Sequence, residues 1–225
     1  MTASIPRLPL RDDLFLLGHD DDTGHPHVHR QTLALGLAGA VLIDLYLAGR
    51  VSLDLNDEAR AAGHQRIHPY IDRPVGDLIA DAAAATIRNA HPLLRIWLRG
   101  FSDDLYDRTR AGLVAGGILR QHTRRRLVGL MRADTYLPTD SKWAVIARSR
   151  LRYLAAGREQ PDNHTAALAG LVADLGLTSH LYLDDDTATL TSRLKAIAAQ
   201  HYQPVRDITA AVDAAIGDLA TAAYR

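Results

Sequence analysis

From Leu33 to Ala48 the chain is apolar at almost every position, and Asp44 is its single charge. A surface helix carries one apolar stripe, whereas a helix apolar on all sides belongs inside a core. A membrane span needs roughly 20 apolar residues, and this run is shorter and interrupted by Asp44. It therefore predicts the buried central helix of a soluble domain. Gly36, Ala38, Gly39 and Ala40 give that helix a thin side where another backbone can approach. Gly49 follows where a C-capping glycine belongs. Arg50 to Leu55 then alternates polar and apolar residues, the period of a strand.

The rest of the pattern is largely helical. Pro9 precedes LRDDLFLLG, a short helix with acids in its first turn and Gly18 at its end. HDDDTGHPHVHR reads as a polar loop with an Asp-Thr-Gly turn. Val51–Leu55 and Gln65–His68 are candidates for a hairpin. Helices are predicted from about Asp77 to Asn89, from Pro92 through Trp97 to Arg99, and after Ser102 as N-cap, ending at Gly116-Gly117. ILRQHTRRRLVGLMRADTYL reads as a second hairpin. Helices then run from Pro138-Thr139-Asp140 to about Ala156, Asp162 to Leu175, Thr187 to His201 and Pro204 to Tyr224. No low-complexity linker divides residues 1–225, so the expectation is one mainly α domain around a buried central helix, with two small β-hairpins.

Composition narrows the function. The chain has 225 residues, a 47% hydrophobic fraction, 5% aromatics and a formal net charge of zero. That length is ample for a core, and the alanine–leucine bias favours helices. With no cysteine there is no disulfide, thiolate metal site or cysteine nucleophile. Zero net charge gives no global attraction to nucleic acid or to an anionic membrane, so only a local patch could supply one. The N-terminus lacks a signal-peptide pattern, and a cytoplasmic location is the expectation.

Four constellations could carry chemistry. His25, His27 and His29 alternate, with His19 and Arg30 nearby; on an extended segment the three would share a face for a metal or an anion. Asp20-Asp21-Asp22-Thr23-Gly24 hints at calcium, but an EF-hand register would put His25 at its glycine position and Gln31 at its glutamate position. Arg120, Arg124, Arg125 and Arg126, with His122, Leu127 and Val128, form a basic hairpin suited to an anionic membrane, to nucleic-acid phosphates or to self-association. Asp44 is a buried acid, read as a hydrogen-bonded core carboxylate. Nucleophile-elbow, phosphate-loop, zincin and dinucleotide signatures are all absent from the sequence, and no cofactor or metal is expected.

LPLRDDLFLLG (8–18), GLAGAVLIDLYLAGRVSL (36–53), RPVGDLIADA (73–82) and GLVAGGIL (112–119) together resemble the Golgi phosphoprotein 3 family. Their order and spacing match across most of the chain, while the final third matches only as helical texture. The resemblance implies a mainly helical fold around a buried central helix and a hairpin used in self-association. It also implies peripheral membrane binding through phosphatidylinositol 4-phosphate and an adaptor role toward membrane proteins. The family's lipid-contacting positions fall on His29, Ala38, Asp103 and Tyr106 here, where its members carry a tryptophan and three arginines. Arg110 shares the helix face of Tyr106 and is the better substitute donor; Arg108 points away.

The expected function is thus a non-enzymatic peripheral membrane protein and homo-oligomer. It would contact phosphoinositide or other anionic head groups through His27, His29, Arg30 and Arg110, with Arg124, Arg125, Arg126, Leu127 and Val128 as a membrane or oligomer hairpin. The alternatives are a winged-helix-like nucleic-acid binder, which zero net charge disfavours, and a protein-only oligomeric scaffold.

Overall fold

The computed structural model describes residues 7–54, 56–61, 63–125, 132–158, 160–181, 186–200 and 202–222. The chain begins with α1 (Leu10–Leu17), α2 (Arg30–Leu47), β1 (Val51–Leu53), α3 (Asp57–Ala61) and β2 (Ile67–Pro69). α4 (Leu78–Ala90), α5 (Leu94–Ser102) and α6 (Leu105–Ala115) lead into the β3 (Leu119–Arg125) and β4 (Arg132–Pro138) hairpin. α7 (Lys142–Ala155), α8 (Asn163–Asp174), a 3₁₀ turn at Thr178–His180, α9 (Thr187–Ala199) and α10 (Gln203–Ala222) complete it.

α2 is the axis of the fold. α1, α4, α5, α6, α8 and α10 all pack against it. Residues 33–43 are buried without interruption, as is Leu45. By length and a mean hydropathy of 1.3 the helix would pass for a membrane span, but 67% of it is buried inside the domain. Its hydrophobicity is spent on neighbouring helices. The helix ends in a Schellman motif: Gly49, at φ 65°, donates to Tyr46 O, and Arg50 donates to Leu45 O.

Asp44 explains itself once α1 is in place. α1 begins after Pro9, which has no side chain to cap it. The Asp44 carboxylate reaches across from α2 and accepts the Leu10 N–H at 2.9 Å. Burial pushes Asp44 up to about 7, against the pull of that hydrogen bond and of Arg11. The folded state therefore holds a proton that the unfolded chain has released, and this acid's contribution to stability is lost as pH rises from about 4 through about 7. Asp44→Asn keeps an acceptor for Leu10 and removes the charge. Its stability relative to the parent, measured by urea unfolding, is expected to be near neutral at pH 5. Above pH 7.5 it should be higher by about 2 kcal/mol.

Both hairpins are present, with refinements. β1 and β2 pair antiparallel, Val51 opposite Pro69, but α3 lies within their connection. β3 and β4 pair from Leu119–Pro138 to Arg125–Arg132. Ser102 is not the N-cap of α6. It is the last residue of α5, and its hydroxyl donates back to Arg99 O at 2.8 Å, the local bond that serine makes when it competes with a cap. Asp104 takes the cap position of α6, and Asp103 and Asp104 form the whole link between the two helices.

Candidate functional site

A cavity of about 240 Å³ opens where α2 starts. Arg30, Gln31, Ala34 and Leu35 from the first turns of α2 form one wall, and Arg99 and Ser102 at the end of α5 form another. Asp103, Tyr106 and Asp107 close the third side and Leu219 of α10 the last. Sequence spacing explains each wall: positions 30, 31, 34 and 35 share a helix face, and the two-residue link between α5 and α6 turns Asp103, Tyr106 and Asp107 inward.

Tyr106 is the best-fixed side chain of the site. Its hydroxyl lies 2.7 Å from His19 Nε2, while His19 Nδ1 lies 2.6 Å from Phe15 O. A carbonyl only accepts, so Nδ1 carries the proton and the tyrosine hydroxyl donates to Nε2. Burial drives His19 down to about 4, which keeps the ring neutral, and Phe15 stacks on it at 4.2 Å. With its hydroxyl engaged, Tyr106 offers the cavity its ring. The Arg30 guanidinium lies 4.8 Å from that ring's centre.

The four charges around the cavity differ in freedom. Arg99 pairs with Asp218 of α10, which also holds Arg95 at 2.8 Å. Asp107 pairs with Arg110 at 2.7 Å. Arg30 and Asp103 have no ion-pair partner among the described residues. Arg110 continues outward, its guanidinium 5.8 Å from the Tyr106 ring and 4.5 Å from the Tyr136 ring of β4. It thereby ties α6 to the second hairpin. Arg108 turns elsewhere, to Asp104 and the Phe101 ring.

The structure separates the histidines that the sequence grouped. His29 is the N-cap of α2, and its Nδ1 accepts the Gln31 N–H at 3.3 Å. His27 lies away from the cavity, stacked on His180 at 3.9 Å and nearly parallel. Burial and the neighbouring His180 lower its pKa. The chain is extended only through the antiparallel bridge between His19 and Pro26; it bends at His27 and Val28, and His29 turns into the N-cap of α2. Among the described residues no three potential metal ligands converge.

Of the other expected positions, Ala38 is fully buried in the core and faces no cavity. Arg120 is exposed at the start of the hairpin. Arg124 and Arg125 end β3, and Arg126, Leu127 and Val128 lie outside the described residues. Gln31 and Leu219 were missed. Gln31 was detectable as the neighbour of Arg30 on the first turn of α2. Leu219 carried no local signal, because only the packing of α10 brings it there.

α1, the central helix with β1, the start of α4 and the end of α6 leading into β3 fall in the order of the four family-like stretches. A profile of the Golgi phosphoprotein 3 (GPP34) family matches residues 10–219, and the chain belongs to that family.

Proposed function

We propose that this protein is a non-enzymatic peripheral membrane protein whose cavity at the start of α2 seats a phosphate-bearing lipid head group. Membership of the Golgi phosphoprotein 3 family is consistent with a lipid-associated adaptor. The observation that carries the reading is Arg30, a guanidinium on the cavity wall with no carboxylate partner among the described residues. A guanidinium fork suits phosphate oxygens, and the first-turn N–H groups of α2 add the positive end of a long helix dipole. Phosphatidylinositol 4-phosphate and other anionic head groups are the candidate ligands. The non-enzymatic reading is supported by the structural work of the carboxylates outside the cavity: Asp44 caps α1, and Asp77 caps α4. The β3–β4 hairpin, joined to the site through Arg110 and Tyr136, is the proposed self-association and membrane-facing element, with membrane-protein clients as further partners and the cytoplasm as its compartment.

The test is co-sedimentation with phosphatidylcholine vesicles, alone or with phosphatidylglycerol or phosphatidylinositol 4-phosphate, at two salt concentrations. Both anionic additives are expected to raise binding over phosphatidylcholine alone. Arg30→Ala should weaken it about tenfold, the value of a charge-assisted hydrogen bond. Arg120→Ala on the hairpin should cost about 1 kcal/mol or less, and only at low salt. Absence of binding to every vesicle would refute the proposal. Steeply salt-dependent binding to duplex DNA in its place would favour the nucleic-acid reading.

A further inference from the structure

We propose that the head group fitting this cavity carries a primary ammonium beside its phosphate, as in phosphoethanolamine and phosphoserine diesters. The inference rests on the reading of the cavity as a head-group site and narrows its ligand. Two arginines and two aspartates line the space. Arg99 shares Asp218 with Arg95 and Asp107 pairs with Arg110, so Arg30 and Asp103 are the cation and the anion of the lining without an ion-pair partner among the described residues.

A ligand that is only negative meets Arg30 well and Asp103 badly. A phosphorylated inositol offers the carboxylate hydroxyl donors but adds negative charge and brings no cation to balance it. A phosphodiester with a short amino arm satisfies both: phosphate oxygens accept from Arg30, and the ammonium donates to Asp103. A primary ammonium has three donors, whereas the trimethylated choline group has none. The Tyr106 ring on the same wall carries the Arg30 guanidinium 4.8 Å from its centre and so holds the phosphate donor in place. The volume of about 240 Å³ is below the roughly 300–1,000 Å³ of pockets for drug-sized ligands, which suits a small head group.

The experiment compares vesicles of phosphatidylcholine with the same vesicles containing phosphatidylethanolamine, phosphatidylserine, phosphatidylglycerol or phosphatidylinositol 4-phosphate. Glycerophosphoethanolamine and glycerophosphocholine serve as soluble competitors. The two amino lipids should bind about tenfold more tightly than phosphatidylcholine, and only glycerophosphoethanolamine should compete. Asp103→Asn, at an exposed position, should abolish that preference and strengthen phosphatidylglycerol binding, because it removes the carboxylate that repels an anionic head group. Equal or tighter binding to phosphatidylglycerol or phosphatidylinositol 4-phosphate would overturn the inference and leave the membrane reading standing. An amino-lipid preference that survives Asp103→Asn would overturn it too. Binding to no vesicle and to neither soluble compound would overturn both. Binding to glycerophosphoethanolamine but to no vesicle would support the ligand chemistry and refute the membrane source.

Discussion

Replacing Arg11 with alanine is expected to remove about 3–5 kcal/mol of folding stability in urea unfolding at pH 7, the cost of breaking a buried ion pair from one side. Arg11 sits on α1 with only 6% of its surface exposed. Its guanidinium makes a bidentate pair with Asp77 at 2.8 and 2.7 Å and lies 3.1 Å from Asp12. Asp77 in turn caps α4 by accepting from Ile79 and Ala80. One side chain therefore joins the two helices that flank α2. Without it, Asp12, Asp44 and Asp77 repel one another with their nearest cation gone.

The same loss has a defined pH dependence. Arg11 and the α4 N–H groups hold Asp77 below the ordinary carboxylate range, although burial opposes them. A depressed carboxylate contributes stability above its unfolded pKa of about 3.9 and loses it as pH falls through its folded value. The Arg11→Ala deficit should thus be largest above about pH 7, shrink as Asp12 and Asp44 take up protons near pH 6–7, and shrink further below about pH 4 as Asp77 does. Arg11→Lys should fall between parent and alanine, because lysine keeps the charge but not the fork. A neutral-pH loss under 1 kcal/mol for Arg11→Ala would show that the network contributes little.

The second large effect is expected at Gly39. A Cβ there would lie 2.5 Å from Val212 Cγ2, with Leu171 and Ile208 close behind. Val212 is fully buried and stiff at χ1, so it cannot yield. Gly39→Leu places four carbons where α10 crosses α2. Overpacking should exceed the roughly 1 kcal/mol that leucine returns in helix propensity. A net loss of about 3 kcal/mol is expected, or roughly 6–12 °C in Tm. Gly36→Ala is the internal comparison. Its Cβ meets the terminal methyls of Leu175 at 2.6 and 3.1 Å, which can rotate aside, so the loss should stay under about 1 kcal/mol. Equal losses at the two sites would contradict the packing of α10 on α2.

What the sequence disclosed was local. The all-round apolar run from Leu33 to Ala48 needed no partner to be recognised as core, and Gly49 marked its end. Asp77, Asp162 and Asp186 cap α4, α8 and α9, and each stood at or beside a start that side-chain chemistry suggested. α3 escaped notice because five residues, three charged and two alanines, are too short a run to show periodicity. Ser102 misled because α5 runs three residues past Arg99 and takes the hydroxyl for itself. The alternation at His25, His27 and His29 described an extended segment that the bend at His27 and Val28 interrupts. The cavity was the least legible element. Arg30, Arg99, Asp103 and Tyr106 were each visible as residues. Only the packing of α5, α6 and α10 on α2 shows that they share one space, and that Asp218 and Arg110 neutralise half of its charge.

The most direct test is a ¹⁵N–¹H correlation spectrum of the full chain titrated with short-chain phospholipid. If the cavity is the head-group site, the first and largest shifts fall at residues 30–35, at 99–107 and at Leu219. Shifts confined to the strands of the β3–β4 hairpin, with Arg30 and Asp103 unmoved, would contradict the account and place membrane contact on the hairpin alone.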